Sequence, residues 1–182
     1  MLTIHVAQLL KSPEGTTRRS TFVEAPEVLG EAEVIAPVRG EVALVRVRQG
    51  ILADCSFETA LALECARCLA VAVTPVSGRF QEEFVPSVDL RTGLPRAVEA
   101  DSEAFLIGED HVLDLAEAIR QHVLMAAPLQ PLCRPDCRGL CPECGHDLNT
   151  GPCACAPVDE TSPFSALRQL LVESDGPPAR RA

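Results

Sequence analysis

The sequence contains no tryptophan and no tyrosine, and its aromatic residues are six phenylalanines. A protein that grips single-stranded nucleic acid by stacking bases relies on exposed aromatic surface, so this scarcity argues against a stacking platform. Lysine is nearly missing, since fifteen of the sixteen basic residues are arginine. Against them stand 26 acidic residues, giving a net charge of −10. That is the wrong sign for a surface that tracks phosphates. No apolar run approaches the roughly 20 residues a helix needs to span a bilayer, so no membrane role is expected. The opening Met-Leu-Thr-Ile-His-Val-Ala-Gln-Leu-Leu-Lys has neither the basic stretch nor the cleavage site of a secretory leader. The expected location is the cytoplasm. At 182 residues, 47% of them hydrophobic, the chain can bury one core with a small appendix.

Cysteine is abundant instead. Six of the nine cysteines fall between 133 and 155: Cys133, Cys137, Cys141, Cys144, Cys153 and Cys155. At their centre is Cys141-Pro-Glu-Cys144-Gly145. Two thiolates three positions apart can hold one tetrahedral ion if the chain turns tightly between them. Pro142 fixes one dihedral of that turn. Gly145 permits the positive φ that aims backbone N–H groups at the sulfurs. A disulfide framework would need an oxidising compartment and an even count. The expectation is therefore structural Zn(2+), with one ion among these six ligands and room for a second. Cys141 and Cys144 are the anchor pair. Spacing does not decide between Cys133 and Cys137, or between Cys153 and Cys155. His146 is expected to be an exposed loop residue, because the thiols already fill the shell.

A second pair, Cys65 and Cys68, lies in Cys-Ala-Arg-Cys between two strand candidates. A thioredoxin-type motif would open a helix after a strand, which this one does not. A second metal half-site, a structural thiol pair and a facultative disulfide all stay open. Cys55 is expected to pack in the core.

Residues 4–10 are apolar and read as strand or helix. Residues 13–40 carry several Gly and Pro and read as loop. Strands are predicted at 41–48, 51–64 and 69–85, joined by short turns as an antiparallel meander. Residues 86–110 read as a long loop carrying Glu99, Asp101 and Glu103. A helix over 115–126 is capped by Asp114 with Glu117 three residues on, and its stripe is Leu115, Ile119, Val123 and Ala126. The fold class is α+β: an antiparallel β meander or partial barrel packed with one or two helices, plus a small C-terminal Cys-rich zinc module. The expected divisions are 1–127, 128–158 for the cysteine segment, 159–173 for a last helix opening at Ser162 and Pro163, and a disordered tail at 174–182. Arg39, Arg46 and Arg48 could form a small basic patch on the meander. Arg134 and Arg138 would either offset the negative charge of a thiolate centre or reach a phosphate.

Several strings carry a resemblance across nearly the whole chain. They are Glu64-Cys-Ala-Arg-Cys-Leu69, Phe80-Gln-Glu-Glu-Phe84, Asp114-Leu115, Pro128-Leu-Gln-Pro-Leu-Cys133, Cys137-Arg-Gly-Leu-Cys-Pro-Glu-Cys-Gly-His-Asp-Leu-Asn149 and Cys153-Ala-Cys155. Together they resemble the bacterial YceD family, and the composition resembles its actinobacterial branch. The resemblance implies a non-catalytic ribosome-biogenesis factor supporting synthesis, processing or stability of large-subunit ribosomal RNA. It implies no catalytic residues. The expected partner is large-subunit ribosomal RNA or a pre-ribosomal particle, reached directly or through a ribosomal protein, with no small-molecule substrate. Two other readings stay open: a thiol or zinc redox protein working through Cys65 and Cys68, and a structural zinc module that binds another protein.

Overall fold

The structure is a computed structural model that describes residues 2–31, 33–89, 92–95 and 105–155. It divides into two compact units, residues 1–137 and 138–182. The helix and tail expected after residue 158, and the acidic residues 99–103, lie outside the described residues.

The first unit is mostly strand. β1 (Thr3–His5) and α1 (Ala7–Lys11) open it, so the apolar stretch 4–10 supplies both a strand and a helix. β2 (Thr17–Glu24) and a 3₁₀ turn (Pro26–Leu29) follow. This corrects the loop reading of 13–40. As an edge strand β2 half-buries only Ser20, Phe22 and Glu24 and leaves Val23 exposed, so its hydrophobic signal is thin. β3 (Val38–Arg46), β4 (Ile51–Glu64) and β5 (Val71–Pro86) come next, then β6 (Phe105–Ile107), β7 (Val112–Asp114) and α2 (Ala116–Ala126).

The main sheet has the order β2-β3-β4-β5-β6, and β1 pairs with β7 apart from it. β2 to β5 are antiparallel sequence neighbours. β6 joins β5 in parallel, so the sheet is mixed where a purely antiparallel one was expected. The long connection from Pro86 to Phe105 makes this possible, because a parallel return needs a dozen or more residues.

Strand periodicity sets the core. β4 buries Ile51, Ala53, Cys55, Phe57, Thr59 and Leu61 in strict alternation. β5 adds Ala72, Val76, Phe80 and Phe84. Thr59, the one polar residue in that series, donates its hydroxyl to the Ala36 carbonyl at 2.9 Å. Phe57 stands between two glycines of the flanking strands, Gly40 and Gly78. A β-carbon at Gly78 would lie 2.7 Å from the Phe57 ring, so the ring occupies the volume that a side chain there would fill.

α2 covers the sheet with Leu115, Ala118, Ile119 and Val123 buried and Ala126 packed at the margin. Each large apolar side chain so buried contributes roughly 1.5–3 kcal/mol. Asp114 Oδ1 accepts the Ala116 N–H at 2.9 Å. Glu117 does not complete a capping box. It instead accepts from Arg120 at 2.8 and 2.7 Å and from Gln121 at 2.8 Å, and these donors hold its carboxyl down at about 2. Arg120 also reaches Glu31 at 2.8 Å, tying α2 to the segment after the 3₁₀ turn. His122 stacks on Phe80 at 4.2 Å and meets Glu82 Oε1 at 2.9 Å, which docks the helix on β5.

Arg46 is not part of a basic patch. Its guanidinium donates to the Leu10 carbonyl at 3.0 Å, the Gly50 carbonyl at 2.8 Å and the Val47 carbonyl. It locks the β3–β4 turn to α1.

Candidate metal centres

The cysteines gather into two sets of four. Cys65, Cys68, Cys133 and Cys137 form one, and Cys141, Cys144, Cys153 and Cys155 the other. Within each set the four sulfurs lie within 4.8 Å of one another. In a tetrahedron with bonds of about 2.3 Å the sulfurs stand about 3.8 Å apart. Cys65 and Cys137 are separated by 3.8 Å, and Cys68 and Cys133 by 3.5 Å. Disulfide sulfurs would be about 2.05 Å apart and paired, whereas all nine thiols are free and eight stand in mutual quartets. The residues present fit a tetrahedral, thiophilic metal ion.

Spacing along 133–155 suggested a single cluster. The structure divides those six residues: Cys141, Cys144, Cys153 and Cys155 come together, while Cys133 and Cys137 go to Cys65 and Cys68. The ninth thiol, Cys55, lies in the core, and burial beside Asp54 pushes it up to about 12.

The two sets use the same turn. Cys65 and Cys68 occupy the loop between β4 and β5, where the Leu69 N–H bonds the Cys65 carbonyl at 3.0 Å. Gly145 N–H bonds the Cys141 carbonyl at 2.9 Å in the same way. Leu69 and Gly145 both take the left-handed conformation, with φ of 63° and 70°. The turn folds backbone N–H groups over its first sulfur. The Arg67 N–H, with those of Cys133 and Cys68, draws the Cys65 thiol down to about 6. The N–H groups of Cys144 and Glu143 draw Cys141 down to about 6 as well. Each quartet also holds one thiol up at about 12. That thiol is Cys133, beside Cys68, in one set and Cys155, beside Cys144, in the other. Four thiols this close cannot all ionise without a cation between them.

Different scaffolds hold the two sets. In the first, Ala66 N–H donates to the Pro131 carbonyl at 2.8 Å, and Arg67 Nη1 donates to the Cys137 carbonyl at 2.7 Å. The segment after α2 is thereby pinned to the hairpin loop. Cys65, Cys68 and Cys137 are buried and Cys133 is exposed. In the second, Cys141 N–H donates to the His146 carbonyl and Leu148 N–H to the Gly139 carbonyl. Asn149 Oδ1 accepts the Arg138 N–H at 2.8 Å, and Asp147 Oδ1 accepts from the Asn149 side chain at 2.6 Å. His146 is exposed, and its ring meets the Thr150 hydroxyl rather than a sulfur. Arg134 pairs with Asp136 at 3.7 Å. Sequence reasoning missed Arg67 and Asn149, whose roles depend on partners 70 and 11 positions away.

Residues 53–171 match the family described as "Large ribosomal RNA subunit accumulation protein YceD". The chain belongs to the YceD family. The match takes in both cysteine turns. An uncharacterized protein from Mycobacterium tuberculosis is 32% identical over 158 residues, covering 83% of this chain and 72% of that one. Another from Mycobacterium leprae is 30% identical over 144 residues, covering 78% and 62%. A maize protein named "Large ribosomal RNA subunit accumulation protein YCED homolog 1, chloroplastic" is 26% identical, covering 87% and 63%. No solved structure matches the chain. Among the described residues no helix is long and apolar enough to cross a membrane.

Proposed function

We propose that this YceD-family chain is a non-catalytic factor in the making of the large ribosomal subunit, and that its two quartets hold one zinc ion each. The family supports a ribosome-related role. The observation that carries the rest is the make-up of the two sets. Each offers four thiols and, among the described residues, neither includes a histidine or carboxylate. Zinc bound by four thiolates has no open position for water or substrate, and such sites supply folding energy rather than chemistry. The Cys65–Cys68 pair does not stand apart as a redox couple. Its lowered first thiol recurs at Cys141, where N–H groups of the turn are again the leading cause. The protein acts by occupancy in the cytoplasm, holding or guarding an RNA–protein particle. With a net charge of −10 and Arg46 committed to the fold, contact through a protein component is favoured over a grip on naked RNA.

The test is depletion of the protein followed by gradient profiling of ribosomal particles. The expected result is less mature large-subunit ribosomal RNA, with the protein co-sedimenting with large-subunit precursors. Normal ribosomal RNA levels across growth temperatures, or a metal-dependent nuclease activity in the pure protein, would refute the proposal.

A further inference from the structure

Among the described residues, two strand edges have no strand beside them. β1 is laddered to β7 alone, and β2 ends the main sheet with β3 on its other side. In an antiparallel pair every second residue turns its N–H and C=O away from the partner strand. The β1–β7 ladder is framed by Leu115 N–H on the Leu2 carbonyl and Val6 N–H on the His111 carbonyl, both at 2.9 Å. Thr3 and His5 therefore point their main chain away from β7. In β2 the Thr16 carbonyl accepts the Arg46 N–H at 2.9 Å. Residues in step with Thr16 face β3, so Arg19, Thr21 and Val23 point their main chain away from it.

These two edges meet across a cavity of about 240 Å³. Residues 2–4 form one wall and residues 20–24 the other. A cavity over the face of a strand touches alternate residues. One that touches consecutive residues of two strands runs along their edges. Its floor is Val42 and Leu115, each 1% exposed. At one end Arg18 reaches across, and its Nη1 donates to the His5 carbonyl at 3.2 Å. Directly paired strands stand about 4.8 Å apart and bond main chain to main chain. A gap bridged by an arginine side chain is wider than that. The arginine acts as a strut that keeps β1 and β2 from closing on each other.

We propose that this slot takes an extended segment of a partner polypeptide, which enters as a strand between β1 and β2. The main chain chooses the occupant. The walls present N–H and C=O groups from Thr3 on one side and from Thr21 and Val23 on the other. Another β-strand carries matching groups on both of its edges at the same repeat. Nucleic-acid phosphates are acceptors only, and would leave the carbonyls of the slot unpaired. Alternate side chains of the segment face the apolar floor of Val42 and Leu115, where the small volume suits alanine or valine. The side chains between them face outward and are polar. A segment bound this way joins β1 to β2 and removes both open edges. The inference does not depend on the ribosome-related reading.

The test uses the full-length protein labelled with nitrogen-15 and two capped octapeptides, in which threonine alternates with alanine or with valine. At least one should bind saturably below about 1 mM. The amides of Thr3, Thr21 and Val23 should then exchange with solvent at least tenfold more slowly. Further forms of the peptide carry N-methyl groups at either the odd or the even positions. A strand held by both edges uses both sets of N–H groups, so each methylated form should bind at least tenfold more weakly. Thr21→Pro deletes the N–H on the slot side and keeps the bonds to β3, since an edge strand tolerates proline with its nitrogen outward. It should also weaken binding at least tenfold, with zinc content unchanged. No saturable binding, unaltered exchange of the three amides at saturation, or parent-like binding by a methylated peptide or by Thr21→Pro would each overturn the proposal. So would a dimer of the peptide-free protein in which those amides are already protected, because the occupant would then be a second copy.

Discussion

In one quartet the turn of Cys65 and Cys68 meets sulfurs 65 to 72 positions away. In the other, a turn of the same form meets sulfurs no further along than Cys155. Turn geometry and thiol electrostatics are shared, so the difference lies in the length of chain each centre closes. A link between positions 65 and 137 encloses most of the mixed sheet's later strands and α2. A link within 141–155 encloses only a short loop. The same local chemistry should therefore act as a fold-wide fastener in the first unit and as a local staple in the second.

The largest expected effect is the loss of the first link. By comparison with a covalent cross-link closing a loop of this length, Cys68→Ser should destabilise the first unit by about 4 kcal/mol. Cys144→Ser should leave that unit's unfolding unchanged and abolish order only around 138–155. Urea unfolding followed by far-UV circular dichroism separates the two. Equal losses would break the comparison.

The strand alternation, the α2 stripe and Cys55 as a core residue were readable because each depends on side chains a few positions apart. The way the thiols divide was not. Spacing pointed Cys133 and Cys137 at their sequence neighbour Cys141, while the sheet brings the β4–β5 loop to the end of α2. No local pattern encodes that contact. A clue was present in the two C-x-x-C pairs and in eight clustered or paired cysteines, twice the number one ion needs. β2 was missed for a related reason: an edge strand with one half-buried face has little hydrophobic signal of its own. β6 is only three residues long, and its parallel pairing depends on a remote partner.

A control away from both centres is Gly78→Ala. The new β-carbon must displace the buried Phe57 ring, and the first unit should lose about 1–3 kcal/mol, read as a lower urea midpoint with zinc content unchanged. Zinc loss in this variant would mean that the core and the first centre are coupled more tightly than the geometry implies.

Smaller still is Arg67→Ala, which removes the donor to the Cys137 carbonyl. It should reduce stability of the first unit by about 1–2 kcal/mol. Asn149→Ala, which frees the Arg138 N–H, should affect only metal retention in the second unit, measured as the rate of transfer to a chelator. Reversed phenotypes would contradict the assignment of these two side chains to separate centres.

The smallest predicted difference concerns pH, where the two centres should behave alike. Cys65 and Cys141 are both held at about 6 in the folded chain against 9.0 as free thiols. A depressed thiol favours the folded state above its unfolded value. That contribution is therefore complete above about pH 9 and is lost as pH falls through 6. At pH 7.5 one thiol in each quartet is already ionised, so zinc binding should release about three protons per ion rather than four. An indicator-dye titration gives the number, and four per ion in either centre would show that its turn does not stabilise the first thiolate.

The central claim is that two separate four-thiolate centres exist, one long-range and one local. Native mass spectrometry of the full-length protein tests it most directly. Two zinc ions are expected in the wild type, one in Cys144→Ser and one in Cys68→Ser. A single ion in the wild type, or loss of both ions from Cys144→Ser, would contradict it.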